Sequence, residues 1–388
     1  MPRTRSVRAS AHRVGLAATG ALLSAIIALT GASAAPAATT PSTGSPTSPP
    51  AALDIVRDVS YGPAPSLVLD VYREQEAADS PVVMLIHGGG WSDGDKDKFD
   101  DESKLLARTG FVVFDINYTL DTSAGAAYPR QVDEVQLALQ WVQDNAATYG
   151  GDSGRLGVLG GSAGGYLAAM LAYQSDPDAP DPIRALVSLS GPMDVTAVVD
   201  LLRSSVRSAD GTCQPITCEK LDGVTRTFTT LLGCNPVDCP PELLEEASPT
   251  SYVSASSPPS FFANGMDETV SPDQSAIVAA LLEQQGVPVE TRVVPGAMHS
   301  VQLLPAISAD VLDFLTTNVV NATPSATASA PPAPSPTATA DEPIAQPVES
   351  QQRRLYRWVI FAAVLAMIGA VLLIRRLRRD TPSDAPPI

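Results

Sequence analysis

Histidine is scarce: three in 388 residues, and one of them, His12, lies in an N-terminal segment with the marks of an export signal. Imidazole chemistry in the rest of the chain therefore falls to His87 or His299. Cysteine is confined to one short stretch, with Cys213, Cys218, Cys234 and Cys239 as its four occurrences, so any bridge or thiolate site is confined there too. Basic residues are few. Residues 51–320 hold 14 Lys and Arg against 37 Asp and Glu, close to −23. Such a surface repels nucleic acid and anionic lipid, which argues against polyanionic partners. No internal repeat is present, which turns attention to the ends of the chain.

Arg3, Arg5, Arg8 and Arg13 precede an apolar run from Val14 to Thr30, and Ala32-Ser33-Ala34 offers the small residues of a cleavage site; residues 1–34 are read as a signal peptide. Residues 35–50 form a Pro/Ser/Thr-rich linker, and 321–352 a Pro/Ser/Thr/Ala-rich stalk, both without the apolar period a core needs. A semi-extended stalk of about 30 residues at roughly 3 Å each reaches about 90 Å. The uncharged run Trp358–Ile374, extended to 355–374, has the length of a membrane span, and an arginine-rich cytoplasmic tail, 375–388, follows. An exported domain and one stop-transfer helix predict a single-pass protein of the cell membrane, its domain outside. In that setting the four cysteines read as two disulfides with three pairings open. A zinc site of four thiolates would want tighter pairs, so neither metal nor cofactor is expected.

The remaining domain, 51–320, has an α/β pattern. Two β-rich runs within 53–73 are split by the turn "GPAPS", a hairpin signal. Largely apolar runs at 81–86, 111–118, 183–190 and 259–265, with "RLGVLG" before Ser162 and "VPVETRVV" at 287–294, alternate with helical patterns. Val132, Val135, Leu139 and Val142 make one helical stripe; other helices are expected over about 272–286 and 301–319. The alternation predicts a mostly parallel sheet covered on both faces. Residues 195–257, with the cysteines and several prolines, break it and read as an inserted cap.

Gly160-Gly161-Ser162-Ala163-Gly164 satisfies G-x-S-x-G, between a strand and a helix. A serine on so sharp a turn stands clear at the top of a sheet, and the neighbouring glycines remove side chains that would collide. The absence of a following lysine sets aside a phosphate-binding loop. Serine needs a base, and His299, in a loop after the last strand, is the candidate. The base needs a carboxylate. Asp267, in the loop after the preceding strand, is expected there, with Glu268 next in line if the loop is shifted by one. In "IHGGGW" the amides of Gly89 and Gly90, with that of Ala163, are expected to form an oxyanion hole, while His87 is positional.

Taken with "INYTL" (116–120), "YPRQVDEVQLALQWVQDNAATYGGD" (128–152) and "MHS" (298–300), these motifs make residues 53–318 resemble the α/β-hydrolase superfamily. Within it they resemble the carboxylesterase branch of hormone-sensitive-lipase-like esterases, bacterial feruloyl and acetyl-xylan esterase-like proteins and arylformamidases. The resemblance implies an α/β-hydrolase fold with a disulfide-bearing cap, and a metal-free serine hydrolase acting through an acyl-enzyme on a small-molecule or cell-wall polysaccharide ester. Thr119 departs from it: relatives commonly carry arginine there, so a family salt bridge is in question. An amidase, peptidase or arylformamidase on the same triad is the nearest alternative. An adhesion module on an inactive hydrolase fold is the alternative of another class.

Overall fold

The computed structural model describes residues 52–321 apart from 121–124, 178, 180, 181 and 205–214, and also leaves out the side chains of 215–219. The expected signal peptide, the whole linker, the stalk beyond residue 321, the 355–374 span and the tail lie outside the described residues.

The β-rich runs at the start form β1 (Leu53–Ser60) and β2 (Val68–Glu74), paired antiparallel as their turn requires. Then follow β3 (Ser80–Ile86), α1 (Asp100–Arg108), β4 (Val112–Ile116), α2 (Arg130–Asn145), β5 (Gly151–Gly161), α3 (Ala163–Gln174) and β6 (Ile183–Leu189). After a helical segment come β7 (Ser260–Gly265), α7 (Asp273–Gln284), β8 (Val289–Val294) and α8 (Leu304–Leu315). The eight strands form one sheet in the order β1-β2-β4-β3-β5-β6-β7-β8, antiparallel where β2 meets its neighbours and parallel elsewhere.

Central strands are apolar on both faces, and their alternate residues feed two cores. Val82, Met84 and Ile86 of β3 join a core with the stripes of α2 and α3, while Val83 and Leu85 point into a second core with α1 and α8. This explains why β3 reads as a continuous apolar run and not as an alternating one. The helix spanning Ser300–Val320 is apolar and long enough, by composition alone, to cross a membrane. Its Leu303, Ile307, Val311, Phe314 and Leu315 are buried in the second core, so it serves here as a core helix.

Strand order sets the position of the site. From β3 the chain crosses to β4 on one side; from β5 it crosses to β6 on the other. The carboxyl ends of the adjacent strands β3 and β5, in register at Ile86 and Gly160, therefore diverge and leave a crevice between the loops that follow them. The two motifs that end these strands are the "HGGGW" loop and Ser162.

Between β6 and β7 the segment expected as a cap is helical: α4 (Val195–Ser204), α5 (Pro215–Leu232) and α6 (Pro241–Glu246). α5 lies over the "HGGGW" loop, with Phe228 against the edge of Trp91 at 5.5 Å between ring centroids. Cys234 and Cys239 form a disulfide that closes the turn after α5. Cys213, and the side chain of Cys218, lie outside the described residues, so the second expected bridge does too.

Candidate active site

Ser162 sits between the last residue of β5 and the first of α3 with φ 55° and ψ −121°, a backbone conformation that non-glycine residues rarely adopt. The turn is held because everything around it is in contact. A Cβ on Gly160 would lie 2.1 Å from the Gly164 carbonyl oxygen, and one on Gly164 would lie 2.0 Å from that of Ile86. One on Gly161 would meet Ser300 Oγ at 2.1 Å. The glycines thus do more than clear space beside the serine. They let the end of β3 and the loop bearing His299 come up against the turn.

His299 Nε2 is 2.8 Å from Ser162 Oγ. Its Nδ1 is hydrogen-bonded to Oε2 of Glu268, and here the structure corrects the sequence reading, which placed Asp267 in this role. The reason is the turn after β7. The Asp267 amide donates to the Gly296 carbonyl at 3.0 Å and its side chain faces solvent. One residue on, the longer Glu268 side chain folds back over the strand end. Its Oε1 accepts from the Gly265 amide at 2.8 Å, Asn264 Nδ2 at 3.0 Å and Ser190 Oγ at 2.9 Å. Fully buried, the carboxylate is offset by four hydrogen bonds, the form in which a buried charge is tolerated. Ser275 donates to Oδ1 of Asn264 and so fixes which end of that amide faces Glu268.

Ser190 and Asn264 carried no recognisable sequence signal. Ser190 follows the last residue of β6, and its hydroxyl both donates to Glu268 and accepts from the Ser300 amide at 2.9 Å. The loops of acid and base are thereby tied to one strand end.

On the other side of Ser162 lies the glycine loop. A Cβ on Gly88 would stand 2.5 Å from the Gly161 carbonyl oxygen and 3.0 Å from Ser162 Cβ. Gly89 and Gly90 have φ of 140° and 58°, and line the same cavity as Ser162, Ala163 and His299. Among the described residues the amides of Gly89 and Gly90 donate no hydrogen bond, and that of Ala163 is one of the orphan donors at a helix start. His87 stacks on Tyr118 at 4.4 Å, with Nδ1 2.9 Å from the Gly88 carbonyl oxygen; burial lowers its pKa to about 4, so it is a neutral prop of the loop. At Thr119 the backbone amide donates to Glu134 at 2.8 Å.

The cavity over Ser162 measures about 1100 Å³, and α5 forms one of its walls through Val224 and Thr227. Among the described residues there is no cluster of three or more side chains able to hold a metal ion.

The family model for BD-FAE matches residues 69–282, more than half of the chain. The chain belongs to the BD-FAE family. It thereby joins the carboxylesterase side of the α/β-hydrolases. The family match contains Ser162 and Glu268 and stops short of His299. Esterase LipQ of Mycobacterium tuberculosis is 28% identical over 257 residues, covering 63% of this chain and 57% of that protein. The versiconal hemiacetal acetate esterase of Dothistroma septosporum is 28% identical over 273 residues, covering 68% and 78%. Against LipQ and the related LipM this family member spans only a little over half of their length. Among solved structures, an esterase of Pyrobaculum calidifontis aligns with a TM-score of 0.54 at 23% identity, covering 70% of this chain and 87% of that one. Esterase B of Lactobacillus aligns with 0.55 at 20%, covering 69% and 85%. These likenesses establish the α/β-hydrolase fold.

Proposed function

We propose that this member of the BD-FAE family is a serine carboxylesterase that works through an acyl-enzyme. The observation that carries the reading is the continuous relay from Ser162 Oγ through both ring nitrogens of His299 to the buried Glu268. Ser162 Oγ attacks the ester carbonyl carbon as His299 Nε2 takes its proton. The negative oxygen that forms is received by the amides of Gly89, Gly90 and Ala163. The intermediate collapses, the carbon–oxygen bond to the alcohol breaks, and His299 returns the proton to the leaving oxygen. Water then attacks the acyl-Ser162 with His299 again as base, releasing the acid. Glu268 keeps the Nδ1 proton in place and stabilises the imidazolium in both halves.

Its relatives bear esterase names, which favours esters over amides. One relative, the arylacetamide deacetylase of cattle, is 38% identical over 133 residues and keeps an amide activity in view as a second reading. The export signal, stalk and 355–374 segment extend the proposal to a domain held outside the cell on a single membrane helix, facing small or polysaccharide-bound esters. No cofactor is required by this chemistry.

A fluorophosphonate applied to the full chain, followed by peptide mapping, is expected to label Ser162, and Ser162→Ala is expected to abolish hydrolysis of a short-chain aryl ester. Unlabelled but folded protein would remove the catalytic reading and favour an adhesion module.

A further inference from the structure

The charge around the cavity runs against the charge of the chain. Residues 51–320 hold 37 acidic and 14 basic side chains, yet Lys98, Lys220 and Arg226 line the cavity over Ser162, and among the described residues Asp273 is the one acidic residue of that lining. Lys220 and Arg226 project from α5; Lys98 comes from the short turn Lys96–Phe99. Among the described residues neither Lys220 nor Arg226 makes an ion pair, and Lys98 has only a loose one, 3.9 Å from Asp93. The Asp273 carboxylate is engaged by Ser271 Oγ at 2.9 Å.

We propose that the substrate is a carboxylic ester bearing a carboxylate away from the scissile bond, held at the cavity mouth by Lys220, Arg226 and Lys98. This rests on the esterase reading above. Distant acidic residues repel such a molecule only weakly at physiological salt, where the screening length is about 8 Å. Three cations within the cavity wall act inside that length. They remain partly solvated, so each is expected to contribute about two- to fivefold in kcat/KM, and the set about tenfold. Arginine adds a planar pair of donors matched to a carboxylate. A polyanion stays excluded, because its remaining charges would extend over the acidic surface.

The test uses the full-length protein and two matched pairs of esters. A mono-aryl glutarate against its methyl ester places the charge in the acyl half; 3-acetoxybenzoate against 3-acetoxybenzamide places it in the alcohol half. The charged member of one pair is expected to have about tenfold higher kcat/KM at low salt, with the preference shrinking as sodium chloride is added. In the double variant Lys220→Gln, Arg226→Gln the charged-to-neutral ratio is expected to fall to about one, and in Lys220→Arg, Arg226→Lys to persist. The pair that responds identifies the half carrying the charge. Equal cleavage of both members in both pairs, at any salt, overturns this inference and leaves the esterase reading intact. Failure to cleave any of the four esters overturns both. The salt dependence of the unaltered protein decides the matter even if the variants fold poorly.

Discussion

Two neighbouring acids, Asp267 and Glu268, divide at the turn after β7: one meets solvent, the other is buried against His299. Removing the charge from each separates structure from expectation. Glu268→Gln offers Nδ1 of His299 an amide in place of a carboxylate and is expected to lower kcat by about 10⁴-fold, whereas Asp267→Asn stays within about twofold. Steady-state rates on one aryl ester check both; equal losses would return Asp267 to the relay. His87 gives a second prediction at this scale. Its pKa is lowered by burial to about 4 from an ordinary value of 6.5, so between these values the unfolded chain binds a proton that the folded chain refuses. Stability is therefore full above about pH 6.5 and declines as pH falls toward 4, by about 3 kcal/mol from this group. Urea unfolding across that window is expected to show a shallower decline in His87→Gln. Of these residues, Ser162 and His299 were legible because a motif and a scarcity singled them out. Glu268 was legible only as the second of two acids, because which of two adjacent side chains turns inward depends on the turn after β7 and on Ser190 and Asn264, which lie far from it or carry no motif.

Elements were easier to read than residues wherever burial repeats. β3, β4, β6 and β7 fall where the apolar runs placed them, since strands buried on both faces have little room for polar residues. The hairpin of β1 and β2 and the stripe of α2 were equally visible. The strand order was not legible, because the exchange of β3 and β4 rests on pairings distant in sequence. The segment over the site was readable as a break in the alternation, and of its helices α5 packs on the "HGGGW" loop through Phe228. Contact between elements also sets a test. A methyl group on Gly160 would drive the end of β5 from the first turn of α3, because it would meet backbone atoms of Gly164 and Gly165 that no side-chain rotation can move. Gly160→Ala is expected to cost about 3 kcal/mol and to lower the thermal midpoint accordingly, with labelling of Ser162 lost in parallel. An unchanged midpoint would mean that the turn has slack.

At the scale of the whole molecule, a soluble core helix and a membrane span have the same composition, and only packing tells them apart. Ser300–Val320 qualifies by length and apolar character, yet its apolar face is covered by the sheet. The proposed tether is accordingly sought in the uncharged run within 355–374, read from the sequence. Full-length protein in producing cells is expected to sediment with membranes and to resist extraction at high salt, while a chain ending at 321 is expected in the soluble fraction; full-length protein found free in solution would remove the tether. Among the described residues, every hydrogen bond on the side chains of Ser162, His299 and Glu268 comes from outside 195–257. The α5 wall of the cavity comes from inside that segment. One wall of the cavity can therefore vary without touching a hydrogen bond of the relay: exchanging the outward residues of α5 would reshape what the cavity admits while Ser162, His299 and Glu268 keep their alignment.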